Sequence, residues 1–93
     1  MCIIVNEINT GDIRGHVYIF EKTGDMIPMH NHDKNSVHIS IIAKGSLRLL
    51  GYKKQPVEYT CGTMLDFSDI EMHELRALED DTRMFNILKY KNA

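Results

Sequence analysis

Three of the chain's five histidines fall within nine positions, His30, His32 and His38 in the stretch "MIPMHNHDKNSVHISIIAKG" (residues 26–45). On a β-strand, side chains two residues apart share a face, so His30 and His32 would project together. Two imidazoles enclosed with bare nitrogens are costly, and enclosure demands a partner for them. A divalent metal is the natural partner, because neutral imidazole is the commonest protein metal ligand. The polar stretch Asp33, Lys34, Asn35 and Ser36 lets the chain turn. His38 then returns with Ser40 and Ile42 on its own face, leaving Val37, Ile39, Ile41 and Ala43 to the other. His73 opens a later segment and shares its face with Leu75 and Ala77. Strands lining one interior would bring all four imidazoles together. The plainer alternative is a pocket that keeps histidines without metal; for His38 it is a lumen residue bonded to a ligand or to Ser40.

The elements that must position these residues are short apolar segments broken by turn residues. "GHVYIFEKTGD" alternates, is rich in β-branched and aromatic residues, and ends in a Thr-Gly-Asp turn. "SVHISIIAKG" is a second strand, and "SLRLLGY" follows at once as the expected second arm of a hairpin. "PVEYTCG" and "TMLDF" meet at Cys61-Gly62, while "HELRAL" and "TRMFNILKY" flank the acidic turn at residues 79–81. Seven or eight strands at regular spacing predict an all-β sandwich or small barrel. The competing reading is a helix over "DIEMHELRALEDD", which is rich in helix formers.

Parity along these strands suggests further roles. His16 alternates with Tyr18 and Phe20 and reads as a strand or pocket residue. Arg48, between Leu47 and Leu49, is expected to face outward. Asp69 and Glu71 read as solvated turn residues. Met29, Tyr18, Phe20, Ser40, Met64, Phe67 and Phe85 are the candidate pocket walls, although core packing explains the apolar ones equally well.

The 93 residues, 43% apolar and 26% charged, fit one ordinary globular domain over residues 1–93. A net charge of −2 gives no basic field for phosphates, so nucleic acid is not an expected partner. No stretch approaches the ~20 apolar residues that cross a bilayer, and none is expected to meet a membrane. The start, "MCIIVNEINT", has no basic leader. Cys2 and Cys61 are too few for a disulfide framework. A reduced pair in the cytoplasm is expected, with a single bridge between them as the alternative. Cys-x-x-Cys, His-Glu-x-x-His, phosphate loops and serine elbows are all absent from the sequence.

At this point the chain resembles a known family. Gly24 is followed by five residues, then His30-Asn31-His32; His38 follows, then "ISIIAK" and Gly45. The first motif of the cupins runs Gly, five residues, His-x-His, three or four residues, Glu, six residues, Gly. Their second motif runs Gly, five residues, Pro-x-Gly, two residues, His, three residues, Asn. Here Gly62, "TMLDF", Ser68-Asp69-Ile70, two residues and His73 take those places. The sequence departs in having His38 for the glutamate, a longer loop before it, Ser68 and Ile70 for the Pro and Gly, and Ala77 for the Asn.

The resemblance implies a small cupin-type jelly-roll β-barrel of about eight or more short antiparallel strands. Its ligands carry over as His30, His32 and His73, with His38 as the odd member. It also implies one divalent transition metal per chain (Fe, Ni, Mn, Cu or Zn) and a homodimer formed by pairing sheets. A centre made only of histidines leaves the metal's charge uncompensated, which favours anionic ligands. Such a site suits a small anionic or oxygen-chelating metabolite, and a non-haem iron dioxygenase-type reaction is the leading expectation. A non-catalytic small-molecule-binding or sensing protein, an isomerase or lyase using another metal, and metal storage stand beside it, since one barrel hosts many chemistries.

Overall fold

The computed structural model describes residues 2–30, 36–51, 55–67 and 73–90. Nine strands lie among them: β1 (Cys2–Asn9), β2 (Ile13–Phe20), β3 (Met26–His30), β4 (Ser36–Lys44), β5 (Ser46–Gly51), β6 (Val57–Thr60), β7 (Met64–Asp66), β8 (His73–Ala77) and β9 (Thr82–Tyr90). They form a five-stranded sheet in the order β1-β2-β9-β4-β7 and a four-stranded sheet in the order β3-β8-β5-β6. Every pairing among the described residues is antiparallel. This is an all-β jelly-roll architecture. His73–Ala77 is a strand, so the helical alternative is not realised there. Among the described residues no helix is long and apolar enough to cross a membrane.

The expected hairpin between "SVHISIIAKG" and "SLRLLGY" does not form. β4 pairs with β7 and β9, whereas β5 pairs with β6 and β8. Gly45, the single residue between them, has φ +77 and sends the chain from one sheet to the other. A Cβ at Gly45 would stand 2.3 Å from the Thr82 hydroxyl oxygen, so both the φ and the close approach of β9 require glycine. The same switch recurs at Cys61-Gly62 between β6 and β7, and at residues 78–81 between β8 and β9. There Asp81 adopts φ 57 and its carboxylate accepts from Lys44 at 2.6 Å. Cys61 is a free, exposed thiol, so no bridge to Cys2 exists.

Alternation on β-branched and aromatic strands puts one face of each sheet inside. Phe20, Ile42, Leu47, Leu65, Phe67, Leu75, Ala77 and Met84 form the core, with Tyr18, Ile27, Leu49 and Tyr59 packed against it. Leu47 is buried and Arg48 faces out to Glu58 at 2.9 Å, in the parity expected of β5.

Candidate functional site

The register of the five-stranded sheet sets its residues in rows across the strands. One row runs Cys2, Phe20, Thr82, and the next Ile4, Tyr18, Met84, Ile42. The third row is Glu7, His16, Asn86, Ser40 and Leu65, and the fourth Asn9, Arg14, Leu88 and His38. The facing sheet has Leu47 opposite Ala77, then Ile27, Leu75 and Leu49, then His30, His73 and Gly51. Thus one end of the interior is an apolar floor and the other is polar, with the histidines at the polar end.

His38 and His73 are 5% and 6% exposed, one from each sheet. They share a neighbour in Phe67. Its ring stacks on His73 with centroids 4.5 Å apart and meets His38 edge-to-face at 5.5 Å. Phe67 is held there by its own backbone N–H, which donates to the His38 carbonyl at 2.7 Å. The backbone of His30 lies directly across from that of His73, next to a bulge in β3. Phe67 and His73 of the second motif therefore arrive beside His38 and the backbone of His30 from the first.

The other expected site residues divide cleanly. Tyr18, Phe20, Ser40 and Phe67 face the interior, Phe20 deep in the floor. Phe85 and Met64 do not; they are 42% and 65% exposed on the outer face of the five-stranded sheet. Parity is the reason, since Thr82, Met84 and Asn86 take the inner positions of β9. Met29 and His30 are described by their backbone in β3 alone. His32, Asp69 and Glu71 lie outside the described residues.

Asn86 was not among the expected site residues, yet it is buried and central. Ser40, fully buried, donates to the Asn86 carboxamide oxygen at 2.5 Å. Across the next strand His16 buries its Nδ1 with no hydrogen-bond partner among the described residues, its ring edge-on to Tyr18 at 5.8 Å. An asparagine is disfavoured in strands, and its parity with Met84 and Leu88 marked it as inward-facing. At the polar rim Arg14 pairs with Glu7 at 3.1 Å, both partners well exposed.

Comparison with solved structures agrees with this architecture. An RmlC-like cupin family protein from Methanocaldococcus jannaschii, with a double-stranded β-helix fold, superposes with a TM-score of 0.76 over 98% of this chain and 81% of its own, at 20% identity. The fold is that of the RmlC-like cupins. KdgF from Halomonas sp. gives 0.77 over 98% of this chain and 80% of its own at 19% identity. An RmlC-like cupin from Desulfovibrio desulfuricans gives 0.74 over 96% and 80% at 18%. Identities this low carry the cupin fold and no particular chemistry. No protein-family model matches the sequence, and no curated protein matches it.

The cupin fold includes proteins that bind a metal, and the donors at the polar end fit one. His38 and His73 are imidazoles almost removed from water, on opposed sheets, with the backbone of a third histidine in register. Among the described residues no three His, Cys, Asp or Glu side chains gather around one point; the His30 side chain and His32 lie outside that description.

Proposed function

We propose that this single domain binds one divalent transition metal through His30, His32, His38 and His73 and takes a small anionic or oxygen-chelating metabolite beside it. The observation that supports this most is the pair His38 and His73, buried from opposite sheets against one phenylalanine ring, with His30 registered on His73. When bound, such a metal supplies Lewis-acid polarisation of ligand oxygens and, if it is iron, reactivity toward dioxygen. The chain's own residues do the rest. Phe67 fixes the planes of two imidazoles, and the enclosed end keeps bulk water from the ligand. A dioxygenase-type enzyme in a reducing cytoplasm is the leading form of this reading, consistent with the free thiol of Cys61.

Oxygen-electrode assays of the iron-loaded protein against 2-oxo acids, diketones and catechols test the reaction class. Consumption of dioxygen with one of them is expected. Metal binding without turnover would instead make the protein a binding or sensing module, or an isomerase or lyase.

We further propose a homodimer. A sheet with one solvated face normally shows polar residues there. Instead the outer face of the five-stranded sheet carries Ile8, Ile13, Phe85, Ile87 and Met64, each 42–65% exposed, together with Val17, Ile39 and Ile41. Phe85→Glu should convert a dimer to monomer in sedimentation while leaving the fold intact. A wild-type protein that sediments as monomer at micromolar concentration would refute it.

A further inference from the structure

Gly15 stands inside β2, on the outer face of the five-stranded sheet, where nothing within the chain requires a glycine. It lacks the left-handed φ that favours glycine, and a Cβ there would meet only the Asn86 carbonyl oxygen, at an ordinary 3.7 Å. Glycine inside a strand costs backbone entropy and packing, and it often marks a place that another molecule approaches closely. Here the missing side chain leaves a groove of about 170 Å³, open to solvent, with Ile8, Val17, Phe85 and Ile87 among its walls. That is small for a metabolite site, which usually needs about 300 Å³ or more. A cavity of about 150 Å³ walled by apolar side chains, however, takes benzene. The groove therefore suits one phenyl ring. Among the described residues the one exposed large apolar side chain that carries a ring is Phe85, 42% exposed. Within its own chain Phe85 is a wall of the groove, so the ring that fills it comes from a second copy.

We infer that two copies lock by exchanging rings, each placing Phe85 in the Gly15 groove of the other. The inference rests on the homodimer reading above and adds the contact that fixes it. One outer row runs Asn6, Val17, Phe85, Ile41 and Met64, and the next Ile8, Gly15, Ile87, Ile39 and Asp66. Phe85 and Gly15 thus lie on adjacent strands, one row apart. A two-fold axis running across the strands between these rows exchanges them and carries each Phe85 onto the other copy's Gly15 row. Both grooves are then filled by one self-complementary contact. The face is large enough for this. Five strands about 4.8 Å apart and three rows about 7 Å apart span roughly 500 Å². Pairing two such faces covers about 1,000 Å², the size at which specific interfaces begin.

Sedimentation of two variants, alone and mixed, tests the exchange. Gly15→Leu plugs the groove from its own chain, and Phe85→Ala removes the ring. Each should raise the dimer dissociation constant about tenfold or more. Mixed one to one, at a concentration where each alone is monomeric, they should form a dimer again. The Gly15→Leu chain brings its Phe85 to an intact groove, and the shortened residue 85 of the other leaves room for the leucine. Gly15→Val takes the place of Gly15→Leu should that variant not fold. A mixture that stays monomeric overturns the inference. So does a dimer that neither substitution weakens, although the homodimer reading then survives through another face. A wild-type protein that is monomeric at micromolar concentration refutes both. If its Gly15 amide signal then shifts saturably with toluene, the groove belongs to a small apolar ligand instead.

Discussion

The two ends of the barrel interior are built from the same strands and do opposite work. At the floor Phe20, Ile42, Leu47 and Met84 are completely buried and fill the space between the sheets. Two to four positions further along, β2, β4 and β9 present His16, His38, Ser40 and Asn86, and β8 presents His73. Apolar burial contributes roughly 25 cal/mol per Å², while enclosed polar groups return little or nothing unless fully bonded. The floor therefore stabilises the fold, and the polar end draws on that stability to hold chemistry away from water.

Substitutions that target one end should leave the other intact. Phe20→Ala opens a cavity in the floor and should cost about 3–5 kcal/mol, read as a fall in the urea midpoint. Gly45→Ala comes next. Its left-handed φ alone costs on the order of 1–3 kcal/mol, and the clash with Thr82 adds to it. His73→Leu should change the urea stability of the metal-free protein by less than about 1 kcal/mol in either direction, because an apolar ring-sized replacement repacks against Phe67. A large destabilisation there would mean that the polar end also carries the fold.

The smallest effect lies in the turns below the floor. Asp80 is held below the ordinary 3.8 by the Thr23 backbone N–H and then by its hydroxyl, at 2.7 and 2.9 Å. Asp81 is lowered by Lys44 and Arg83. Carboxyls depressed in this way stabilise the fold above their unfolded value and lose that contribution as pH falls through the folded value. Stability should decline on acidification below about pH 3.8, and Asp80→Asn should flatten that decline slightly in thermal melts.

The face assignments were legible because they depend only on parity. β4 does place His38, Ser40 and Ile42 inward, β8 does the same for His73, Leu75 and Ala77, and β2 aligns His16 with Tyr18 and Phe20. Sheet membership was not legible. A one-residue break at Gly45 looks like a tight hairpin, and only the approach of β9, far along the chain, shows that it is a crossing. Size misled at Phe85 and Met64, where large apolar side chains suggested a pocket wall but parity placed them outside. Asn86 was overlooked for the converse reason, lying between Phe85 and Ile87 in a strand whose apolar residues drew the eye.

Metal analysis of protein purified without an affinity tag addresses the polar end most directly. About one equivalent of a transition metal per chain is expected, retained through dialysis, and lost by roughly tenfold or more in a folded His73→Ala variant. Protein that arrives without metal and takes up none of iron, nickel, manganese, copper or zinc on reconstitution would contradict a metal centre at these histidines.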